Sequence, residues 1–190
     1  MVFFKLVPFV AIALFVFTAH SKTPETKFNQ DAPEQVRHWQ KMLGSWRTTE
    51  ESLKPDGSGW KQAGSADWHF YTTLNGWAVQ DEYFSPPLSE EVAPASKRQM
   101  GTNIRVFDND KKQWLMIWTT TAGKAVNLFS AESNDKQIVM RSKQKTPQGK
   151  YSRITFFDLQ KNSFEWKLEW SNDGKNNWLE VHRIHGLRVK

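Results

Sequence analysis

The sequence predicts a mainly β fold, an antiparallel up-and-down β-barrel of about ten strands behind one short N-terminal helix. Three observations carry that expectation. From Ser45 onward apolar residues recur at every second position, and no stretch sustains a 3.6-residue period for long. Turn-forming residues punctuate the alternation at Asp56-Gly57, Asn75-Gly76, Asp108-Asn109-Asp110, Asn134-Asp135, Pro147-Gln148-Gly149, Gln160-Lys161-Asn162 and Asn172-Asp173-Gly174. The strands between them are short and numerous, and closing them into a barrel removes the edges an open sheet would expose.

Each element has its own signal. Residues 1–21 carry a single charge, Lys5, ahead of an apolar run from Leu6 to Phe17 and a small-x-small sequence at Ala19-His20-Ser21. This is the pattern of a signal peptide, and it predicts an exported protein, periplasmic or secreted. The apolar run falls short of the roughly 20 residues that cross a bilayer, so no membrane span is expected in the mature form. Residues 22–30 are polar and read as a flexible lead-in, which leaves 31–190 as a single domain. Asp31 and Glu34 are spaced for a capping box, and Val36, Trp39 and Leu43 follow at helical intervals; a helix over 32–42 is expected, ended by Gly44. Alternating segments near 45–53, 60–74, 77–84, 98–107, 112–120, 125–132, 136–145, 151–159, 164–171 and 178–188 are the expected strands. In the clearest, Phe164, Trp166, Leu168 and Trp170 alternate with Glu165, Lys167, Glu169 and Ser171. The longest connection, Ser85 to Lys97, holds Pro86, Pro87 and Pro94 and is expected to lie as a flap over one end of the barrel.

Composition bounds the function. The 190 residues include no Cys, which excludes a disulfide framework, a zinc–thiolate centre and a thiol nucleophile. The formal charge of +6 is spread along the chain. Its densest stretch, Arg141, Lys143 and Lys145, shares one strand face and reads as a solvated surface, so nucleic acid is not an expected partner. The ten Trp are the unusual feature. Trp68, Phe70 and Leu74 share a face, as do Trp114, Met116 and Trp118, and Trp166, Leu168 and Trp170; stacked in a barrel they build an aromatic interior. Such an interior is either packed solid or lines a ligand site, and buried indole N–H groups seek partners in both cases.

Polar residues inside that interior sharpen the expectation. Asp81 and Glu82 are neighbours on one strand, so one of them faces inward, and a buried carboxylate needs a partner. Arg153 shares the more apolar face of its strand with Tyr151, Thr155, Phe157 and Leu159, and is the expected partner or the anchor for a ligand carboxylate. Arg105, between Ile104 and Val106, is a second candidate. His182 and His185 fall on opposite strand faces, and no nucleophile elbow, phosphate loop or complete calcium loop is present. No catalytic residue, metal or cofactor is therefore assigned, and His182 is kept as the one candidate for proton transfer or haem ligation. Ser171-Asn172-Asp173-Gly174-Lys175-Asn176-Asn177-Trp178 is similar to the Asp-box hairpin of sialidase-type propellers. A single copy with its Gly one place early is expected to be a turn, with Ser171 and Asp173 on the backbone and Trp178 packed over it.

The succession Leu43-Gly44-Ser45-Trp46, Leu74-Asn75-Gly76-Trp77, Asp81-Glu82-Tyr83, and Ser171-Asn172-Asp173-Gly174 with Trp178 and a closing strand around Arg183 resembles a bacterial domain-of-unknown-function family, number fifteen seventy-nine. The resemblance covers most of 38–188. It implies a calycin-type barrel, related in shape to lipocalins and fatty-acid-binding proteins, and it assigns no functional residues. The expected function is binding of a small apolar or amphipathic molecule in an aromatic lumen. Trp68, Phe70, Trp118, Trp166 and Trp170 are the expected lining, with Arg153 and Asp81 or Glu82 as polar anchors. Two other classes remain open. One is an isomerase or hydrolase with Asp81 or Glu82 as general base. The other is a homodimeric envelope module, because Leu115 and Ile117 leave the strand at 112–120 apolar on both faces and either the helix or a second copy must cover the outer one.

Overall fold

The computed structural model describes residues 26–92, 94–123 and 126–189; the leader and the start of the lead-in lie outside the described residues. Ten antiparallel strands follow one another in sequence order around a closed barrel. They are β1 (Gly44–Leu53), β2 (Trp60–Thr73), β3 (Ala78–Ser85), β4 (Gln99–Asp108), β5 (Gln113–Thr120), β6 (Val126–Ser133), β7 (Ile138–Ser142), β8 (Tyr151–Phe157), β9 (Ser163–Ser171) and β10 (Leu179–Arg188). β1 and β10 close the ring through a register from Trp46↔Arg188 to Ser52↔His182. Every strand is thereby paired on both sides, as the count of short alternating segments implied.

Alternation sets the two faces. On β1, Trp46, Thr48 and Glu50 are buried, while Arg47 and Thr49 are exposed. On β9 the aromatic face turns inward and Glu165, Lys167 and Glu169 turn outward. Two glycines permit close inward packing. A Cβ on Gly101 would lie 2.1 Å from the Trp118 ring, and one on Gly186 would lie 2.1 Å from the ring of Phe164, its direct cross-strand partner. Gly186→Val is therefore expected to lower stability by about 1–3 kcal/mol through overpacking, measured by urea denaturation.

The N-terminal helix is a 3-10 helix, Glu34–Met42, and it stoppers one end of the barrel. Three residues per turn bring Val36, Trp39 and Met42 into one line, and all three are buried. The expected capping box does not form. Pro33 occupies the cap position without a side-chain hydrogen bond, and the Asp31 backbone N–H donates to Asn29 Oδ1 at 2.9 Å. The tighter 3-10 winding starts the helix at Glu34 and replaces the α-helical spacing through Leu43 by the interval of three. Arg188 at the end of β10 ties the helix down. Its guanidinium donates to the carbonyls of Lys41 and Leu43 at 2.7 Å each and lies 4.0 Å over the Trp46 ring. Lys27 and Asn29 bond the Thr72–Gly76 segment, which brings the described part of the lead-in across the β2–β3 turn at this same end.

Because strands alternate in direction, the connections after β1, β3, β5, β7 and β9 all lie at the other end. The proline-rich segment after β3 is fastened there: Asp67 accepts the Leu88 N–H at 2.9 Å, and Arg98 donates to the carbonyls of Pro86, Pro87 and Glu90. The helix leaves the outside of β5 uncovered. Ile104 pairs with Ile117 and Ile117 with Leu128, Val106 pairs with Leu115, and all five are exposed.

Candidate functional site

The lumen is divided into a packed half and an open half. Toward the helix, Trp39, Trp46, Phe70, Trp114, Phe156 and Phe164 fill the barrel in edge-to-face and stacked contacts, such as Trp39–Phe156 at 5.5 Å and Trp46–Phe164 at 4.9 Å. Toward the loop end a cavity of about 380 Å³ remains. Trp68, Trp118, Trp166, Trp170, Phe129 and Leu168 form its walls, and exposed Gln99 with half-buried Asn127 and Thr146 mark its mouth. The indoles thus do both jobs that the composition left open. Trp39, Trp46 and Trp114 fill, four others line, and Trp60, Trp77 and Trp178 lie outside the lumen.

Of the residues expected in the site, Trp68, Trp118, Trp166 and Trp170 come together around the cavity. Phe70 lies below it, stacked on Trp39 at 6.2 Å. Asp81 is the inward acid and is wholly buried, while Glu82 faces out and, with burial, helps raise the Tyr71 phenol to a pKa of about 12. The expected inward placement of Arg153 is corrected. It pairs in register with Glu169 on the outer face, forms two 2.8 Å hydrogen bonds to that carboxylate, and lies 4.5 Å over the Trp178 ring. Ser152, Ile154 and Phe156 are the inward residues of β8; Leu159, which made the Arg153 face look apolar, is buried beyond the end of the strand.

Arg105 is the partner of Asp81. It stands beside the floor of the cavity, wholly buried, with Nη2 donating to Asp81 Oδ2 and the guanidinium 4.2 Å over the Trp39 ring. Burial pushes its pKa down, and Asp81 opposes that shift. The pair and its surroundings are incompletely satisfied: Arg105 Nε and Nη1, Asp81 Oδ1, Asn103 Oδ1 and Trp68 Nε1 are buried with no hydrogen-bond partner among the described residues.

A second polar group lies higher on the wall. Glu50 accepts from the Tyr83 hydroxyl at 2.5 Å and the Thr48 hydroxyl at 3.3 Å, and its other oxygen lies 3.1 Å from His182 Nε2. His182 Nδ1 is 2.7 Å from Ser52 Oγ, and its ring meets Trp166 edge-on at 5.9 Å. Burial first, and then the charge of Glu50, raise the Tyr83 pKa well above the ordinary phenol range, so Tyr83 stays a donor. β-bulges at Glu50/Glu51 and Glu180/His182 flank this group. Sequence reasoning missed Glu50, although counting by twos from Trp46 places it inward.

The 171–178 hairpin beside the mouth is a turn, as its Asp-box departures implied. Ser171 Oγ donates to Asn176 O at 2.6 Å, Asp173 Oδ1 accepts the N–H groups of Lys175 and Asn176 at 2.9 Å each, and Trp178 Nε1 donates to Lys175 O. The Asn176 and Lys175 amides hold the Asp173 pKa far below the usual carboxylate range. Its stabilising contribution is therefore complete above about pH 4 and fades as pH falls toward the lowered value. The melting-temperature deficit of Asp173→Ala relative to the parent is expected to shrink on acidification, and a pH-independent deficit would contradict this.

Among the described residues, no three His, Asp or Glu side chains converge as a metal site, and no helix is long and apolar enough to cross a membrane. No protein-family model matches the chain, and no curated protein matches its sequence. Several solved structures are similar in fold. One is an S-type phycobiliprotein lyase from Guillardia theta, with a TM-score of 0.48 and 9% identity over 80% of this chain and 90% of that one. Another is a protein of unknown function from the DUF3598 family of Nostoc punctiforme, with a TM-score of 0.43 and 12% identity over 78% of this chain. The match spans about half of that second protein, 48% of its length.

Proposed function

We propose that the barrel binds a small apolar or amphipathic molecule in the open half of its lumen. One observation carries this reading: the same barrel that packs six aromatic rings solidly toward the helix keeps about 380 Å³ free between four indoles toward the loops. That volume falls within the range of small-molecule sites. Export to the periplasm or outside, inferred from residues 1–21, and membership of family fifteen seventy-nine, inferred from short motifs, belong to the same proposal. Titration with Nile red or retinol is expected to quench tryptophan emission, with saturation near one equivalent. No spectral change with either compound would reject the reading.

A second reading, an enzyme, is favoured by Glu50 and His182 rather than by the acids first considered, since Asp81 is bound to Arg105 and Glu82 faces outward. In it, the Glu50 carboxylate exchanges a proton with a bound substrate, and His182, held between Glu50 and Ser52, supplies or takes up that proton behind it. Nitrophenyl-ester hydrolysis that falls at least about tenfold in His182→Gln would support it; equal rates would sink it. The uncovered apolar surface of β4–β6 also favours a homodimer, and light scattering from a strict monomer would remove that version.

A further inference from the structure

We propose that the lumen selects an uncharged amphiphile with an oxygen-bearing head, a carbonyl or hydroxyl, and discriminates against free carboxylates. This rests on the binding reading above and names the chemical class of its ligand. The protein carries +6 overall, but that charge is not in the lumen. Arg105 and His182 are the only basic residues lining the cavity among those described. The Arg105 charge is already matched by Asp81, also wholly buried, and His182 already contacts Glu50. Glu50 is a second buried acid, held by Tyr83, Thr48 and His182. Counted by formal charge, as in the overall +6, Arg105, Asp81 and Glu50 sum to one negative charge in and beside the lumen. An entering carboxylate meets no unmatched cation and is repelled by Glu50 in a medium where water screens little.

The unpaired atoms point the same way. Arg105 Nε and Nη1 and Trp68 Nε1 are donors, and Asn103 Oδ1 is an acceptor; all are buried without partners, and all three residues line the cavity. Buried polar groups are costly when left unmade. A neutral carbonyl satisfies donors of this set, and a hydroxyl can also donate to Asn103, neither adding charge.

The test is displacement of Nile red by decanol, methyl decanoate and decanoate at mildly alkaline pH, where decanoate is ionised. Decanol and methyl decanoate are expected to displace the dye, with decanoate at least about tenfold weaker. Asp81→Asn keeps an acceptor beside Arg105 but leaves the guanidinium charge unmatched, so decanoate is expected to gain about tenfold while decanol changes little. If that variant does not fold, Glu50→Gln removes the other negative charge and is expected to narrow the gap between decanoate and decanol. Nile red bound by the parent but displaced by decanoate as readily as by decanol would overturn this inference and leave the binding reading standing. Nile red not bound at all would overturn both.

Discussion

Trp39→Ala is expected to cost about 3–5 kcal/mol of folding free energy, the upper end for a single aromatic truncation. Trp39 is wholly buried at the centre of the 3-10 helix, in contact with Phe70, Trp114 and Phe156 from three different strands. Its ring also covers the Arg105 guanidinium at 4.2 Å. Removing it deletes contacts to three strands at once and opens the stoppered end toward a buried ion pair, a site that cannot collapse because the barrel wall is hydrogen-bonded all round. Urea denaturation checks this through a lower midpoint with an unchanged slope. A loss under about 1 kcal/mol would show that the helix caps the barrel without holding it together.

The second large effect concerns Asp81 and Arg105. Asp81→Leu removes the one hydrogen-bonded partner that a wholly buried guanidinium has among the described residues and is expected to cost about 3–5 kcal/mol. Arg105→Met in the same chain is expected to recover most of that loss, because the penalty lies in the stranded charge and not in the missing attraction. A double-mutant cycle measures it, and near-additive losses would mean that the two side chains do not depend on each other. Trp39 packs on Arg105, so changes at all three positions are expected to be coupled.

The fold was legible because a closed meander writes itself into the sequence twice, as two-residue alternation and as turn residues between the alternating runs. Phe164 to Ser171 shows why: every inward residue there is apolar and every outward one polar, so the strand and its buried face follow together. Arg153 shows the limit. Both faces of β8 carry aromatic residues, and only the register with β9, where Arg153 meets Glu169, decides which is outside. The Glu50–His182 contact was hidden for a related reason, since it crosses the closing seam between residues 132 positions apart. The division of the lumen was out of reach from alternation alone. Trp39 enters the barrel from a helix, and a periodicity argument about strands has no place for it.

A small molecule that binds in the open half of the lumen is excluded when that half is filled. Ile154 lines the cavity beside Trp166 and Leu168. Ile154→Trp is expected to occupy the space from a wall that already carries a large side chain. The measurement is Nile red affinity in this variant and the parent, each checked for folding by thermal melting. The folded variant is expected to lose at least about tenfold in affinity. Equal affinity in both, which would put the dye on the exposed surface of β4–β6 instead of between the indoles, would contradict it.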